Sequence, residues 1–300
     1  MKNLILLLML SVFFACSNQD DNTNAEEVTE EVTEEVTEEV TEEVTEEVTE
    51  ENENFNAIPV YNHAYIENFE VDQVAYIALN ATNAYVLVDP FEDDVAESIA
   101  EIKANGNQLA AYISIGTGED WRDDFNQLQP FLTTEQWAEW PGEYFVNTTT
   151  TGIIDVMKAR IDKIADLGFD WVEFDNMDWA LYDDTRETYG IQVSKEDGIV
   201  YYQELCNYVH EKGMKCMAKN FVENAEDFDG VTYESYNDEK NWWDTSGAQS
   251  FLDDEKLVII IHYNESNCNQ VYADYQAIYN ENVSFICEDT TLKKYLHYNE

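Results

Sequence analysis

After residue 70, short apolar runs of strand type alternate along the chain with amphipathic, helix-like stretches. This alternation is typical of a parallel β-sheet whose strands are connected and covered by helices. Eight runs are predicted as strands: Val74–Leu79, Ala84–Val88, Leu109–Ile115, Phe169–Phe174, Met214–Ala218, Gly230–Tyr233, Leu257–His262 and Val283–Cys287. Eight strands within residues 55–300 favour an α/β fold of the (β/α)8, TIM-type barrel class.

Three of the helices between these strands have a clear pattern. Val95–Ala104, Ile153–Leu167 and Ile199–Glu211 carry apolar residues at three- and four-residue spacing, and a glycine follows each within two residues. This spacing predicts one buried face per helix, and glycine ends a helix readily.

The start of the chain has a different pattern. Residues 4–15 are almost entirely apolar, a run of signal-peptide length that is too short to span a bilayer. Ala15-Cys16-Ser17 closes the run as a bacterial lipoprotein box does, so residues 1–15 are predicted as a lipoprotein signal peptide and Cys16 as the lipidation site. Acyl chains such as palmitate on Cys16 would anchor the protein to a membrane. The alternative is a plain secretory signal with an incidental cysteine.

A repeat follows this signal. From Glu26 to Glu51 the chain repeats Glu-Glu-Val-Thr six times and ends on another Glu-Glu. Glutamates at i, i+4 repel one another in a helix, and Val and Thr are stiff, so residues 16–54 are predicted to form a disordered acidic linker. Its simplest role is a spacer; a cation-binding or partner-binding tail is the alternative.

Acidic bias continues beyond the linker. Residues 55–300 hold 47 of the 64 acidic and 14 of the 15 basic side chains, a formal charge near −33. Nucleic-acid binding requires basic patches, so we expect no nucleic-acid partner. This charge suits a saline habitat or a cationic ligand. We expect an exported bacterial lipoprotein at the outer membrane or cell surface, acting as a monomer.

Four cysteines remain after Cys16, at positions 206, 216, 268 and 287. None lies in a Cys-x-x-Cys pair or beside a histidine at zinc-finger spacing, so no metal site is predicted. Export permits disulfides, but their pairing cannot be deduced from the sequence, and buried free thiols fit equally well.

Polar residues cluster just after the predicted strands. In a barrel the carboxyl ends of the strands meet at one mouth, where catalytic residues lie. The candidates at this mouth are Asp89, Glu119, Asp120, Trp121, Arg122, Glu173, Asp175, Asn176, Asp178, Lys219, Asn220, Glu234 and His262. Tryptophans accompany them and would offer flat apolar faces to sugar rings: Trp121, Trp140, Trp171, Trp179, Trp242 and Trp243.

The acids of this group suggest a reaction. Glu173 and Asp175 alternate along one strand and therefore share a face, and Glu234 follows a neighbouring strand. Close carboxylates push one another's pKa values apart, which is what glycoside hydrolysis needs. Solvated loop charges are the alternative. A calcium or magnesium site is less well supported because the acids are dispersed over several strands.

Other chemistries lack their motifs. Gly-x-Ser-x-Gly is absent, and no histidine accompanies a candidate serine motif. His262 is the one histidine at the predicted mouth. No glycine-rich phosphate loop is present, so no nucleotide cofactor, and no cofactor of any kind, is expected.

Several of these segments resemble the family 114 glycoside hydrolases, the endo-α-1,4-polygalactosaminidases and their barrel relatives. They occur in family order between about residues 74 and 265. The matching stretches are Tyr112 to Gly116, Glu119 to Arg122, Trp140 to Glu143, Met157 to Arg160, Gly168 to Asp178, Lys219-Asn220 and Glu234.

The resemblance implies a retaining pair in which Asp175 is the nucleophile and Glu234 the acid/base. It implies that the sugar subsite is shaped by Glu119, Asp120, Arg122, Glu173, Asn176, Asp178, Lys219 and Asn220. The family's substrates are α-1,4-linked galactosamine polymers, in part deacetylated and therefore cationic. An endo-acting hydrolase displayed as a lipoprotein is thus expected, and a non-catalytic surface polysaccharide-binding lipoprotein with the same barrel is the alternative.

Overall fold

The computed structural model describes residues 57–64, 73–220, 226–240, 244–280, 282–291 and 294–300. The predicted signal peptide, Cys16 and the acidic linker lie outside these ranges, as do Trp242 and Trp243.

The described residues form eleven strands and eight α-helices. The strands are β1 (Val60–Asn62), β2 (Tyr85–Val88), β3 (Gln108–Ser114), β4 (Thr117–Glu119), β5 (Glu143–Phe145), β6 (Trp171–Asp175), β7 (Lys215–Lys219), β8 (Gly230–Tyr236), β9 (Leu257–Glu265), β10 (Ser284–Asp289) and β11 (Tyr295–His297). The helices are α1 (Val74–Asn80), α2 (Asp93–Ala104), α3 (Phe125–Leu128), α4 (Thr151–Leu167), α5 (Asp183–Tyr189), α6 (Lys195–Glu211), α7 (Thr245–Asp253) and α8 (Cys268–Tyr279).

Nine of these strands form one curved sheet in the order β1-β2-β3-β6-β7-β8-β9-β10-β11. The first eight are parallel to their neighbours, and β11 pairs antiparallel to β10. Two bonds bring the ends of the sheet together: the Ile58 amide donates to Ser284 Oγ at 2.9 Å, and His297 Nδ1 donates to the Val60 carbonyl at 2.8 Å. The predicted TIM-type barrel is therefore confirmed, in a nearly closed form.

Seven of the eight predicted strands are confirmed, but the first is wrong. Val74–Leu79 was predicted as a strand and is the helix α1. Its buried residues Val74, Ile77 and Ala78 recur at three- and four-residue spacing, so the apolar run has a helical period. The first strand is instead β1, which has only three residues and too few alternating positions to show a strand pattern.

The three predicted helices are confirmed as α2, α4 and α6, each starting two to four residues earlier than predicted. The terminating glycine of α4 is Gly168, which has φ 82°, and its amide donates to the carbonyls of Ile164 and Ala165. At the start of α6, the Ser194 side chain accepts the Asp197 amide as an N-cap.

Alternation along the strands divides the apolar residues into two cores. One set points into the barrel and includes Tyr85, Trp171 and Ile259. The other set points outward against the helices and includes Val86, Val172 and Ile260. A side chain near a strand end therefore faces the barrel mouth only if it has the inward parity.

Cysteines occupy two different settings. Cys268, the first residue of α8, is joined to Cys287 of β10 by a disulfide with Cα atoms 5.9 Å apart. Cys206 and Cys216 are buried free thiols. Among the described helices, none combines the length and apolarity that a membrane span requires.

Candidate active site

An ion triad lies at the carboxyl ends of three adjacent strands. Lys219 at the end of β7 places its Nζ 3.2 Å from Asp175 Oδ1, at the end of β6, and 3.0 Å from Glu234 Oε1, in β8. Because both oxygens bond to one nitrogen, they are at most about 6.2 Å apart. The structure thus brings together the two acids that the sequence proposed as a pair.

The charge of Lys219 is maintained by this setting. Burial acts to lower the pKa of Lys219, but the neighbouring Asp175 and Glu234 carboxylates outweigh it and hold the pKa above its ordinary value. The lysine side chain is almost fully buried, whereas Asp175 keeps 19% of its side chain exposed. A molecule entering the mouth can therefore reach Asp175 while Lys219 stays behind it.

Asp175 has a second partner on its other oxygen. The Tyr112 hydroxyl, on the neighbouring strand β3, donates to Asp175 Oδ2 at 3.0 Å. Burial and the charge of Asp175 raise the pKa of Tyr112 well above its ordinary value, so the hydroxyl keeps its proton and remains a donor. Both oxygens of Asp175 are therefore oriented by the protein.

Glu234 is held by a different set of donors. Tyr263 donates its hydroxyl to Glu234 Oε1 at 3.0 Å, and the Tyr236 hydroxyl lies 3.5 Å from the same atom. Asn220 donates Nδ2 to Oε2 at 3.0 Å and accepts the Glu234 amide at 2.9 Å. These bonds orient the Glu234 carboxyl group within the mouth.

Two further acids beside Asp175 have strongly shifted pKa values. Burial and the charge of Asp175 raise the pKa of Asp178 to about 7. Burial also raises the pKa of Glu143 to about 7, although a hydrogen bond from Thr117 opposes the shift. Groups that titrate near neutral pH around a partly exposed carboxylate are typical of catalytic sites.

A separate cation cluster borders the mouth. Arg122 donates Nε and Nη2 to the two oxygens of Glu119, each at 2.9 Å, and its Nη1 lies 2.6 Å from Asp89 Oδ2. The buried Arg160 forms a second fork with Asp124 and lies 3.8 Å from Glu119. Glu119, Asp89 and Arg122 thus satisfy one another within the wall of the mouth.

Exposed side chains lie beside this cluster. Asp120 is exposed, and Trp121 and Trp140 are 57% and 53% exposed. Gly142 has φ 99°, and a Cβ at this position would come within 2.9 Å of both the Trp121 ring and Asp120 Oδ1. The left-handed glycine therefore lets the segment before β5 pack against Trp121.

Two candidates lie elsewhere in the barrel. Glu173 is fully buried one layer below Asp175, where its Oε2 accepts the hydroxyls of Tyr85 at 3.1 Å and Thr232 at 3.0 Å. His262 has the outward parity in β9: its Nε2 lies 3.0 Å from the Tyr275 hydroxyl of α8, and burial lowers its pKa to about 4. His262 is therefore a neutral packing residue outside the group that faces the mouth.

Sequence reasoning missed several members of the site. Tyr112 could have been found from strand alternation, since it precedes Ser114 by two positions in a predicted strand and shares its face. Glu143 lies in a stretch that resembles the family, but the sequence predicts no place for it in the barrel. Tyr236 follows Glu234 by two positions and shares its face of β8, so it has the same kind of signal as Tyr112. Tyr263 reaches Glu234 only through the pairing of β8 with β9.

One group in the described part of the chain has the spacing of metal ligands. His63, Glu92 and Asp94 offer ligand atoms that all lie within 4.8 Å of one another. Glu92 directly precedes α2 and Asp94 lies in its first turn, where the helix dipole favours acids. Both carboxylates are exposed, so the helix dipole is sufficient to explain their position.

The model of the glycoside-hydrolase family GH114 matches residues 64–300. Among curated proteins, an uncharacterized protein of Deinococcus radiodurans is 31% identical over 34% of this chain. An uncharacterized protein of Methanocaldococcus jannaschii is 26% identical over 49% of it. These alignments span 35% and 44% of the relatives, less than half of each.

Two solved structures are similar to this fold. Ega3 of Aspergillus fumigatus, solved in complex with galactosamine, has a TM-score of 0.62 at 21% identity, covering 82% of this chain and 96% of Ega3. The glycoside hydrolase domain of PelA from Pseudomonas aeruginosa has a TM-score of 0.56 at 13% identity, covering 80% and 97% of the two chains. At these identities the likeness concerns the fold.

Proposed function

Because the chain belongs to the glycoside-hydrolase family GH114, we propose that it cleaves α-1,4-linked galactosamine polymers internally, with Asp175 as nucleophile and Glu234 as acid/base. The observation that carries this proposal is the ion triad, in which one buried lysine holds both carboxylates at a partly exposed mouth. The galactosamine in the Ega3 structure supports the choice of sugar.

The spacing of the carboxylates supports a retaining reaction. Retaining enzymes have carboxyl groups about 5–5.5 Å apart, and inverting enzymes about 6.5–9.5 Å apart to accommodate a water. The lysine-bound oxygens of Asp175 and Glu234 are at most about 6.2 Å apart, and one shared ammonium partner favours the shorter separation. Direct attack by one carboxylate therefore fits this site better than attack by an interposed water.

In the first step, Asp175 would attack the anomeric carbon while Glu234 gives its proton to the glycosidic oxygen. The bond to the leaving sugar breaks, and a covalent glycosyl ester forms on Asp175. In the second step, Glu234 takes a proton from water, the water oxygen attacks the same carbon, and Asp175 leaves as a carboxylate. Lys219 would stabilise the negative charge on Glu234 between these steps.

We assign sugar contacts to exposed and partly exposed groups of the mouth. Trp121 and Trp140 present large exposed rings that could stack on sugar faces, and Asp120 is exposed beside them. Asp178 lies at the mouth next to Asp175 and could accept hydrogen bonds from hydroxyl or amino groups of the sugar. In partly deacetylated polymers, the free amino group of the sugar would be a cation within this acid-rich mouth.

The test is release of reducing ends from α-1,4-galactosaminan. The wild-type protein should release them, and Asp175→Asn and Glu234→Gln should each lower kcat by about 100- to 10,000-fold. Release that persists in both variants would contradict the assigned carboxylates. Binding of the polymer without release by the wild-type protein would favour the non-catalytic alternative.

The location proposed for this activity is a membrane surface. The lipoprotein box at Cys16 and the acidic linker of residues 16–54 are its sequence basis. A lipid-anchored barrel on a linker would reach a polymer too large to enter the cell.

A further inference from the structure

Glu143 lies in the wall of the mouth but has no role in the steps above. It is the first residue of β5, which pairs antiparallel with β4, and Glu119 is its partner in register. The side chain is buried between the charges of Glu119 and Asp175. A carboxylate in this setting costs stability, which proteins tolerate where function uses the group.

The bonds around Glu143 form a chain with a defined direction. Ser114 Oγ accepts two N–H donors, the Thr117 amide at 3.2 Å and Asn176 Nδ2 at 3.0 Å. Its single proton is therefore donated to Thr117 Oγ1 at 2.6 Å, and the Thr117 proton is donated to Glu143 Oε2 at 2.5 Å. The chain requires an acceptor at its end, and Glu143 supplies it.

At the other end of this chain of hydrogen bonds lies Asn176, the residue that follows Asp175. Asn176 has φ 55°, a left-handed conformation that asparagine tolerates better than most residues. The Ile115 amide donates to the Asp175 carbonyl at 3.1 Å, and a Cβ on Gly116 would lie 1.9 Å from the Asn176 carbonyl oxygen. The connection from β3 to β4 therefore packs closely against the backbone beside Asp175.

We propose that Glu143 is a positioning residue that holds Asn176, directly and through Thr117 and Ser114, and with it the Asp175 carboxylate, in the geometry for attack. This inference rests on the proposed function, because it gives Glu143 a role relative to Asp175 as nucleophile. Glu143 has no bond to Asp175 in this arrangement. Its effect on Asn176 passes through the two hydroxyls and through a direct bond, in which Asn176 Nδ2 donates to Glu143 Oε2 at 3.4 Å. A residue of this kind affects kcat more than substrate binding.

The test compares four variants on α-1,4-galactosaminan. Thr117→Val removes only one hydroxyl, and Glu143→Leu removes the terminal acceptor; each should lower kcat by about 10- to 100-fold while KM changes less than about threefold. Glu143→Gln keeps an acceptor oxygen and should restore kcat to within about fivefold of wild type. Glu135→Leu, an exposed acid on the loop between β4 and β5, is the matched control and should leave kcat unchanged.

The double variant Thr117→Val/Glu143→Leu should be no slower than the slower single variant, because Glu143→Leu already removes the acceptor to which Thr117 and Asn176 donate. Multiplied losses in the double variant, equal damage by Gln and Leu at position 143, or unchanged kcat in both single variants would overturn the proposal. If Glu143→Leu does not fold, Thr117→Val decides alone.

Crystal structures of the wild type and Thr117→Val provide a readout that does not need turnover. Displacement of Asn176, or loss of the 3.0 Å bond between Tyr112 and Asp175, would support the positioning role. Unmoved side chains in the variant would overturn it. If the wild-type protein releases no sugar, the proposed function fails while these structures still decide the positioning role.

Discussion

The carboxyl groups around the mouth differ mainly in the hydrogen-bond donors and cations that contact them. Asp175 and Glu234 share the Lys219 ammonium group and have tyrosine hydroxyls on their remaining lone pairs. Asp178 has the Tyr182 hydroxyl as a donor but no adjacent cation of comparable effect, and its pKa is raised to about 7. At the residue scale, the position of one lysine therefore distinguishes the proposed catalytic pair from the acids beside it.

Tyr112→Phe should lower kcat by about tenfold. The change removes one hydrogen bond to a charged carboxylate, worth about 1.5–3 kcal/mol, and leaves Asp175 oriented by Lys219 alone. Steady-state kinetics on α-1,4-galactosaminan would measure it. The matched control is Tyr208→Phe, which removes a tyrosine–aspartate bond to Asp162 in α4, outside the site, and should not change kcat. Equal kinetics of the two variants would refute a role for Tyr112.

Asp178→Asn should stabilise the protein at neutral pH more than at acidic pH. The pKa of Asp178 is about 7 in the folded chain, against about 3.9 when unfolded. Its contribution to stability is therefore fully present below about pH 4 and is lost as the pH rises to about 7. Asparagine stays neutral throughout.

The free energy of unfolding of Asp178→Asn minus that of the wild type should accordingly be about 1–2 kcal/mol larger at pH 8 than at pH 4. Urea unfolding at the two pH values measures the difference. The same relative stability at both pH values would contradict the raised pKa.

At the element scale, the connections between barrel strands position the site as much as the strands do. The two-stranded antiparallel sheet of β4 and β5 follows β3 and brings Glu119 and Glu143 to the wall of the mouth. Trp179 donates Nε1 to the Val146 carbonyl at 2.8 Å and so joins the segment after β6 to the end of this small sheet. The wall of the mouth is therefore one packed unit made from two loops.

The disulfide between Cys268 and Cys287 ties the start of α8 to β10. Cross-linking residues 19 positions apart restricts the unfolded chain, which stabilises a protein by about 3 kcal/mol for a loop of this length. Replacing both cysteines with alanine should lower the free energy of unfolding by about this amount. Reductant should lower the denaturant midpoint of unfolding of the wild type but not of the double variant. An equal effect on both proteins would show that the reductant does not act through this disulfide.

At the scale of the whole molecule, the acidic charge suits the location proposed above. A barrel with a formal charge near −33 would attract a cationic polymer, and the proposed lipid at Cys16 would hold the protein at a membrane surface. The electrostatic attraction would be screened by salt, so it would act most strongly at low ionic strength.

Cys16→Ser should release the protein from membranes without unfolding it. Serine cannot take the thioether-linked lipid, and residues 55–300 contain the predicted barrel. Fractionation of expressing cells should find the variant in the soluble fraction, with far-UV circular dichroism unchanged from that of the wild-type protein. A variant that stays in the membrane fraction would refute the anchor.

The fold class, seven of the eight strands and the polar residues at the strand ends could be predicted from the sequence, because apolar period and strand-end chemistry are local properties of the chain. Which of those residues face the mouth depends on how the strands pair and pack. His262 and Glu173 both lie at or near strand ends. The His262 side chain nevertheless points outward because of its position in the strand alternation, and Glu173 is buried one layer below the mouth. Tyr263 and Lys219 reach Glu234 only through pairing between separate strands. Such long-range contacts depend on register and closure, which no short segment of sequence specifies.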